Sequence, residues 1–96
     1  MAGTYSTRFP EVTLVKRSDG ARGQYGARKA YEIYVKGFDS GNWIVFMAWG
    51  KAEMSRMSWM CTEKVFKSEE EAVAFAWAKF YDKIDKGYTE RTYENN

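Results

Sequence analysis

The chain has 96 residues, 45% of them hydrophobic and 18% aromatic, with 15 Lys/Arg against 13 Asp/Glu, a single cysteine and no histidine. That is enough apolar material for one core and too little length for two domains. The missing histidine and the lone Cys61 exclude Ser/His/Asp and Cys/His catalysis and a disulfide framework, and leave carboxylates as the only zinc ligands. No metal and no cofactor is expected, and Cys61 is expected to be a small buried hydrophobe.

The charge is unevenly distributed. Residues 1–36 hold seven bases (Arg8, Lys16, Arg17, Arg22, Arg28, Lys29 and Lys36) against three acids, whereas residues 61–96 hold six bases against eight acids. No apolar run is long enough to cross a bilayer, and residues 1–10 lack the hydrophobic stretch of a signal peptide. No membrane association is expected, and the expected location is cytoplasmic.

In chain order, residues 1–10 read as a flexible lead-in. The β-branched stretch 12–17 reads as a strand, and 18–29, with Asp19-Gly20, Gly23, Gly26 and the cations Arg22, Arg28 and Lys29, as a loop. Residues 31–36 alternate, with Tyr31, Ile33 and Val35 on one face and Glu32, Tyr34 and Lys36 on the other, as in a half-buried strand. A hairpin connection at 37–42 leads to the strand 43–49, apolar on both faces and therefore expected at the centre of the sheet. The methionine-rich piece 52–57 precedes a further strand at 59–66.

A helix is then expected over 68–86. Ser68 and Glu71 match a capping box, Glu69 and Glu70 suit the positive end of the helix dipole, and Val73, Ala76, Trp77, Phe80 and Ile84 form an apolar stripe that ends at Gly87. The tail, 89–96, is polar. The fold class implied is α+β: a small antiparallel sheet with one long C-terminal amphipathic helix packed on one face, within a single domain spanning 11–88. The face away from the helix is where functional aromatics are expected.

The strand 43–49 runs out into Trp49-Gly50-Lys51. A tyrosine-bearing strand (Ala30-Tyr31-Glu32-Ile33-Tyr34) precedes it. A strand closing on Phe66 follows, then a helix opening Ser68-x-Glu70-Glu71-Ala72 and finishing Lys83-x-x-Lys86-Gly87-Tyr88. In this order and spacing the chain, from about residue 30 to 88, resembles the WGR domain family, named for its Trp-Gly-Arg triplet. The resemblance implies a small antiparallel sheet with one helix and, by analogy with the domain in poly(ADP-ribose) polymerases, binding of DNA at strand ends or nicks. Carried over by position, the sugar-packing tryptophan is Trp49 and the cation is Lys51, a flexible point charge where the family has a planar guanidinium.

Two functions follow as expectations. The first is a non-catalytic nucleic-acid-binding module in which Trp49 stacks, Lys51 and Arg56 neutralise phosphates, and Arg22, Arg28 and Lys29 extend the footprint. The second is a small protein-interaction module, an adaptor or inhibitor, using Met54, Met57 and Trp59, because thioethers beside aromatics make adaptable contact surfaces. Met47 and Met60, within strands, read as core filler. Catalysis is not expected, since the acids at 69–71 are explained by helix capping.

Overall fold

A computed structural model describes residues 3–17 and 28–90. Its elements are β1 (Thr4–Tyr5), β2 (Val12–Arg17), β3 (Arg28–Gly37), β4 (Trp43–Lys51), a 3-10 turn (Arg56–Ser58), β5 (Met60–Phe66), α1 (Glu69–Asp85) and β6 (Thr89–Glu90). The α+β class read from the sequence is what the structure shows. All pairings are antiparallel, the sheet runs β5-β4-β3-β2-β6, and β1 adds to the far end of β3.

The strand ending in the tryptophan-glycine-lysine triplet, β4, is interior as expected, paired with β5 and β3, and the middle of the order is β3. It pairs with β1 and β2 on one side and β4 on the other, because its ten residues outlast every neighbour. Arg28 and Lys29, expected in a loop, open this strand. Arg22 lies outside the described residues. A tight connection links β3 to β4, the Gly41 amide donating to Phe38 O and the Phe38 amide to Asn42 O. Trp59 precedes β5 and stands outside it.

The period of two sorts the sheet into two faces. Val12 and Leu14, Tyr31, Ile33 and Val35, and Val45 and Met47 are directly opposed across β2, β3 and β4 and form the core with Ala72, Val73 and Ala76 of α1. The helix lies across β3, β4 and β5. Ser68 caps it, its hydroxyl accepting from the Glu71 amide 3.1 Å away. Trp77 and Phe80 of the expected stripe pack on the core but are only partly buried, Trp77 meeting Phe9, and Ile84 is 37% exposed.

The segment expected as a lead-in is packed from residue 4 onward. β1 pairs with Lys36 and Gly37, the Ser6 hydroxyl donates to Glu69 Oε2 at 2.7 Å, and Phe9 is 1% exposed with its ring 4.8 Å from that of Trp77. Edge strand β5 is exposed almost throughout, so Cys61 and Met60 are solvent-facing, contrary to expectation, whereas Met47 is core as read. Among the described residues, no helix is long and apolar enough to cross a membrane.

Candidate nucleic-acid interface

The core pattern of each central strand can be followed one step past its last apolar residue. In β2 the positions 12, 14, 16 end on Lys16; in β3 the positions 35, 33, 31, 29 end on Lys29; in β4 the positions 45, 47, 49, 51 end on Lys51. The register places these lysines directly opposite one another, Lys16 against Lys29 and Lys29 against Lys51. Three ammonium-bearing side chains therefore leave the same face of the sheet in one row, next to the helix C-terminus. Like charges in directly opposed positions are destabilising, so the row does not arise from sheet stability.

Beside the row stand three aromatic rings. Trp49 stacks on Tyr31, with centroids 5.9 Å apart and planes 13° from parallel. Tyr88 meets Tyr31 edge to face at 6.3 Å. Tyr88 is delivered by the helix stop: Gly87, at φ 102°, adopts the left-handed conformation that lets its amide donate to Ile84 O and the Tyr88 amide donate to Lys83 O. The chain then pairs back onto β2 as β6, which holds this corner against Lys16.

Lys83 completes the arrangement from the last turn of α1. Its Nζ sits 4.4 Å from the Tyr31 ring centre and 5.7 Å from that of Tyr88, while Lys16 Nζ lies 5.9 Å from Tyr88. Partial burial pushes the Lys83 pKa below the usual lysine value, and the charges of Lys86, Lys79 and Lys16 add to the effect against the opposing pull of Asp82. Asp82 ion-pairs with Lys86 at 3.3 Å. Among the described residues, no carboxylate ion-pairs with Lys16, Lys29, Lys51 or Lys83.

Two adjoining hollows result. One, of about 260 Å³, is lined by Tyr31, Trp49, Lys83 and Tyr88. The other, of about 300 Å³, is lined by Lys29, Ala30, Trp49, Gly50, Lys51 and Tyr88. Trp49 and Tyr88 belong to both. The combination offers flat apolar walls and free cations, the chemistry of a phosphorylated aromatic ligand.

The sheet separates the residues expected to act together. Trp49, Lys51 and Lys29 share this cleft, on the helix side. Arg28, Arg56 and Trp59 lie on the opposite, open face, with Met57 beside them. There Arg28 Nε donates to Glu53 Oε2 at 3.1 Å, which holds the Glu53 carboxyl below its ordinary pKa, and Arg56 donates to Oε1 of Glu32, a side chain only 2% exposed. Both arginines are thus committed to acids. Trp59 lies across Gly50, where an added Cβ would come within 2.4 Å of the indole, and its Nε1 donates to Lys51 O at 3.0 Å. Glycine is needed at position 50 for this close approach.

The open face also carries Tyr34 stacked on Phe46 at 4.8 Å, both lining a hollow of about 370 Å³, with Tyr5 edge-on to Tyr34. Met57 is 94% exposed at its rim, and Met54 is 51% exposed. The Glu11 pKa is raised, chiefly by a hydrogen bond shared with Glu32 and then by burial.

Sequence reading missed Lys16, Lys83, Tyr31 and Tyr88 as site residues. The available signal was a charge in step with the apolar alternation in each of three strands. Among the described residues, no group of three or more His, Cys, Asp or Glu is placed to hold a metal ion. Comparison of the chain with protein-family models, curated proteins and solved structures gives no match.

Proposed function

We propose that the chain is a non-catalytic nucleic-acid-binding module, with phosphates held by Lys16, Lys29, Lys51 and Lys83 and a base or sugar packed against Trp49 and Tyr88. The observation that carries this reading is the row of three directly opposed lysines ending beside Trp49. A bound polyanion would offset the self-repulsion of such a row, and the neighbouring rings suit a ligand with flat faces between its charges. The resemblance of Trp49-Gly50-Lys51 to the WGR triplet points to DNA, strand ends and nicks included. The helix C-terminus presents the negative end of its dipole here, an opposing effect that Lys83 and Lys86 offset.

The test is titration of the pure protein with labelled blunt, nicked and single-stranded oligonucleotides at low and moderate salt. Binding should fall steeply with salt and show little sequence preference. Trp49→Ala should weaken it by about 1–3 kcal/mol, and Lys51→Arg should retain or improve it. Absence of binding to all three ligands at low salt refutes the proposal.

A second reading rests on a different observation, the 94% exposure of Met57 at the rim of the aromatic open face. An apolar side chain held so far into solvent beside Trp59 suits a protein contact. A protein partner whose binding is lost in Met57→Glu and kept in Lys29→Gln would support that reading in place of the first.

A further inference from the structure

Resting on the nucleic-acid proposal, we infer that the cleft takes a single strand with one nucleotide unstacked, and that base-paired duplex is the poorer ligand. Three features lead there. First, the rings of the cleft line two open hollows and are packed against one another on their other sides. Trp49 is backed by Tyr31, Tyr88 stands edge-on to Tyr31, and both hollows are bounded by Trp49 and Tyr88 together. A base inside a duplex has both faces covered by its neighbours. Only an unstacked base can offer a free face to rings of this kind.

Second, the hollows are small. At about 260 and 300 Å³ they sit just below and at the lower limit of the usual range for ligand pockets, roughly 300–1,000 Å³. That is room for one ring system or its sugar. Third, the cations are few and run across the strands. Lys16, Lys29 and Lys51 occupy three adjacent strands, a span of about 10 Å from two inter-strand steps. Lys83 is set beside this row on the helix, over Tyr31. Three lysines meet at most about three phosphates, and the row lies against the corner built by Gly87 and Tyr88, with Lys16 crossing Gly87 at 3.4 Å from where its Cβ would stand. The backbone of the ligand follows the row, perpendicular to the strands, and its base turns toward Trp49. No element of the described chain is placed as a recognition helix for a groove, since α1 is packed along the sheet.

The experiment measures polarisation of labelled oligothymidylates of about two, four, eight and sixteen nucleotides, and of a blunt duplex of about sixteen base pairs, at the same low salt. Single strands should bind at least fivefold more tightly than the duplex, with affinity per site levelling off near four nucleotides. The slope of log K against log salt should be about −2 to −3, as expected for three or four single-strand phosphate contacts. Lys83→Gln and Lys29→Gln should each make that slope shallower by about 0.7. A single-strand preference below fivefold, or affinity per site that still climbs between eight and sixteen nucleotides, overturns the inference while leaving nucleic-acid binding in place. Loss of binding to every ligand overturns both.

Discussion

Replacing Lys29 by glutamine should make the protein more stable and a poorer binder at once. Lys29 is opposed by Lys16 on one side and Lys51 on the other, so this one change removes both like-charge pairs of the row while keeping most of the length of the side chain. Directly opposed charges on a sheet contribute roughly 0.2–1 kcal/mol per pair, and exposed ammonium groups lie toward the lower end because water screens them. The expected gain is about 0.5–1 kcal/mol. For a domain of this size that corresponds to a rise of about 2–8 °C in Tm. Thermal melts followed by circular dichroism at about 0.01 M and 1 M salt isolate the cause, since the screening length falls from about 30 to 3 Å between them. The gain should be largest at low salt and nearly vanish at high salt, and Lys29→Arg should show none. A gain that is absent at low salt, or equal at both, refutes the account of the row as an electrostatically strained site.

Phe9→Ala should cost about 3–5 kcal/mol in denaturant unfolding, since Phe9 is 1% exposed and packed edge-on against Trp77; a loss below about 1 kcal/mol would show that residues 4–9 do not close the core. Gly50→Ala should destabilise by about 1–3 kcal/mol and free the Trp59 indole, visible as a red-shifted fluorescence, because the new Cβ meets that ring at 2.4 Å; an unchanged spectrum and Tm count against the close approach. Glu11 titrates above its ordinary value through its hydrogen bond with Glu32, so the folded state binds the extra proton. The stability from this pair is fully present below the unfolded pKa and is lost as pH rises through the raised folded pKa. Glu11→Gln, which keeps a donor at every pH, should therefore raise Tm at pH 7 and not at pH 4, and an equal shift at both would exclude the coupling.

What the sequence disclosed follows the strength of local signals. Ser68, the acids after it and Gly87 fix the helix because capping is a chain-local interaction between residues three or four apart. The alternation of Tyr31, Ile33 and Val35 fixes the inner face of β3 for the same reason. The arrangement of the site was not local. Whether Trp49 faces the helix depends on its pairing with Tyr31, across a connection that period-two patterning does not resolve when a strand is apolar on both faces, as 43–49 is. Arg56 resembles a phosphate ligand in sequence, and only the fold reveals the buried Glu32 that claims it. In sequence Phe9 reads as part of a loose end, because nothing near it shows periodicity. Its partner, Trp77, lies in the helix.

The two faces of the sheet differ in how their cations are satisfied, and that difference separates scaffold from site. On the open face, Arg28 and Arg56 are each held by a carboxylate, one of them almost wholly buried, and breaking the Arg56–Glu32 pair would strand a charge in the interior. Those arginines fix the segment from Lys51 to Trp59 against the sheet, which in turn holds the Trp59 indole on Gly50 and its Nε1 on Lys51 O. The end of β4 is thereby fixed from behind. On the helix face, Lys51 and Trp49 of that same strand end project into the cleft, where Lys51 meets Lys29 and finds no acid among the described residues. Under the proposed function, a rigid strand end with uncompensated outward cations is pre-organised for an anion: the ordering would be complete before binding, and a bound polyanion would relieve the repulsion among the lysines that salt otherwise screens.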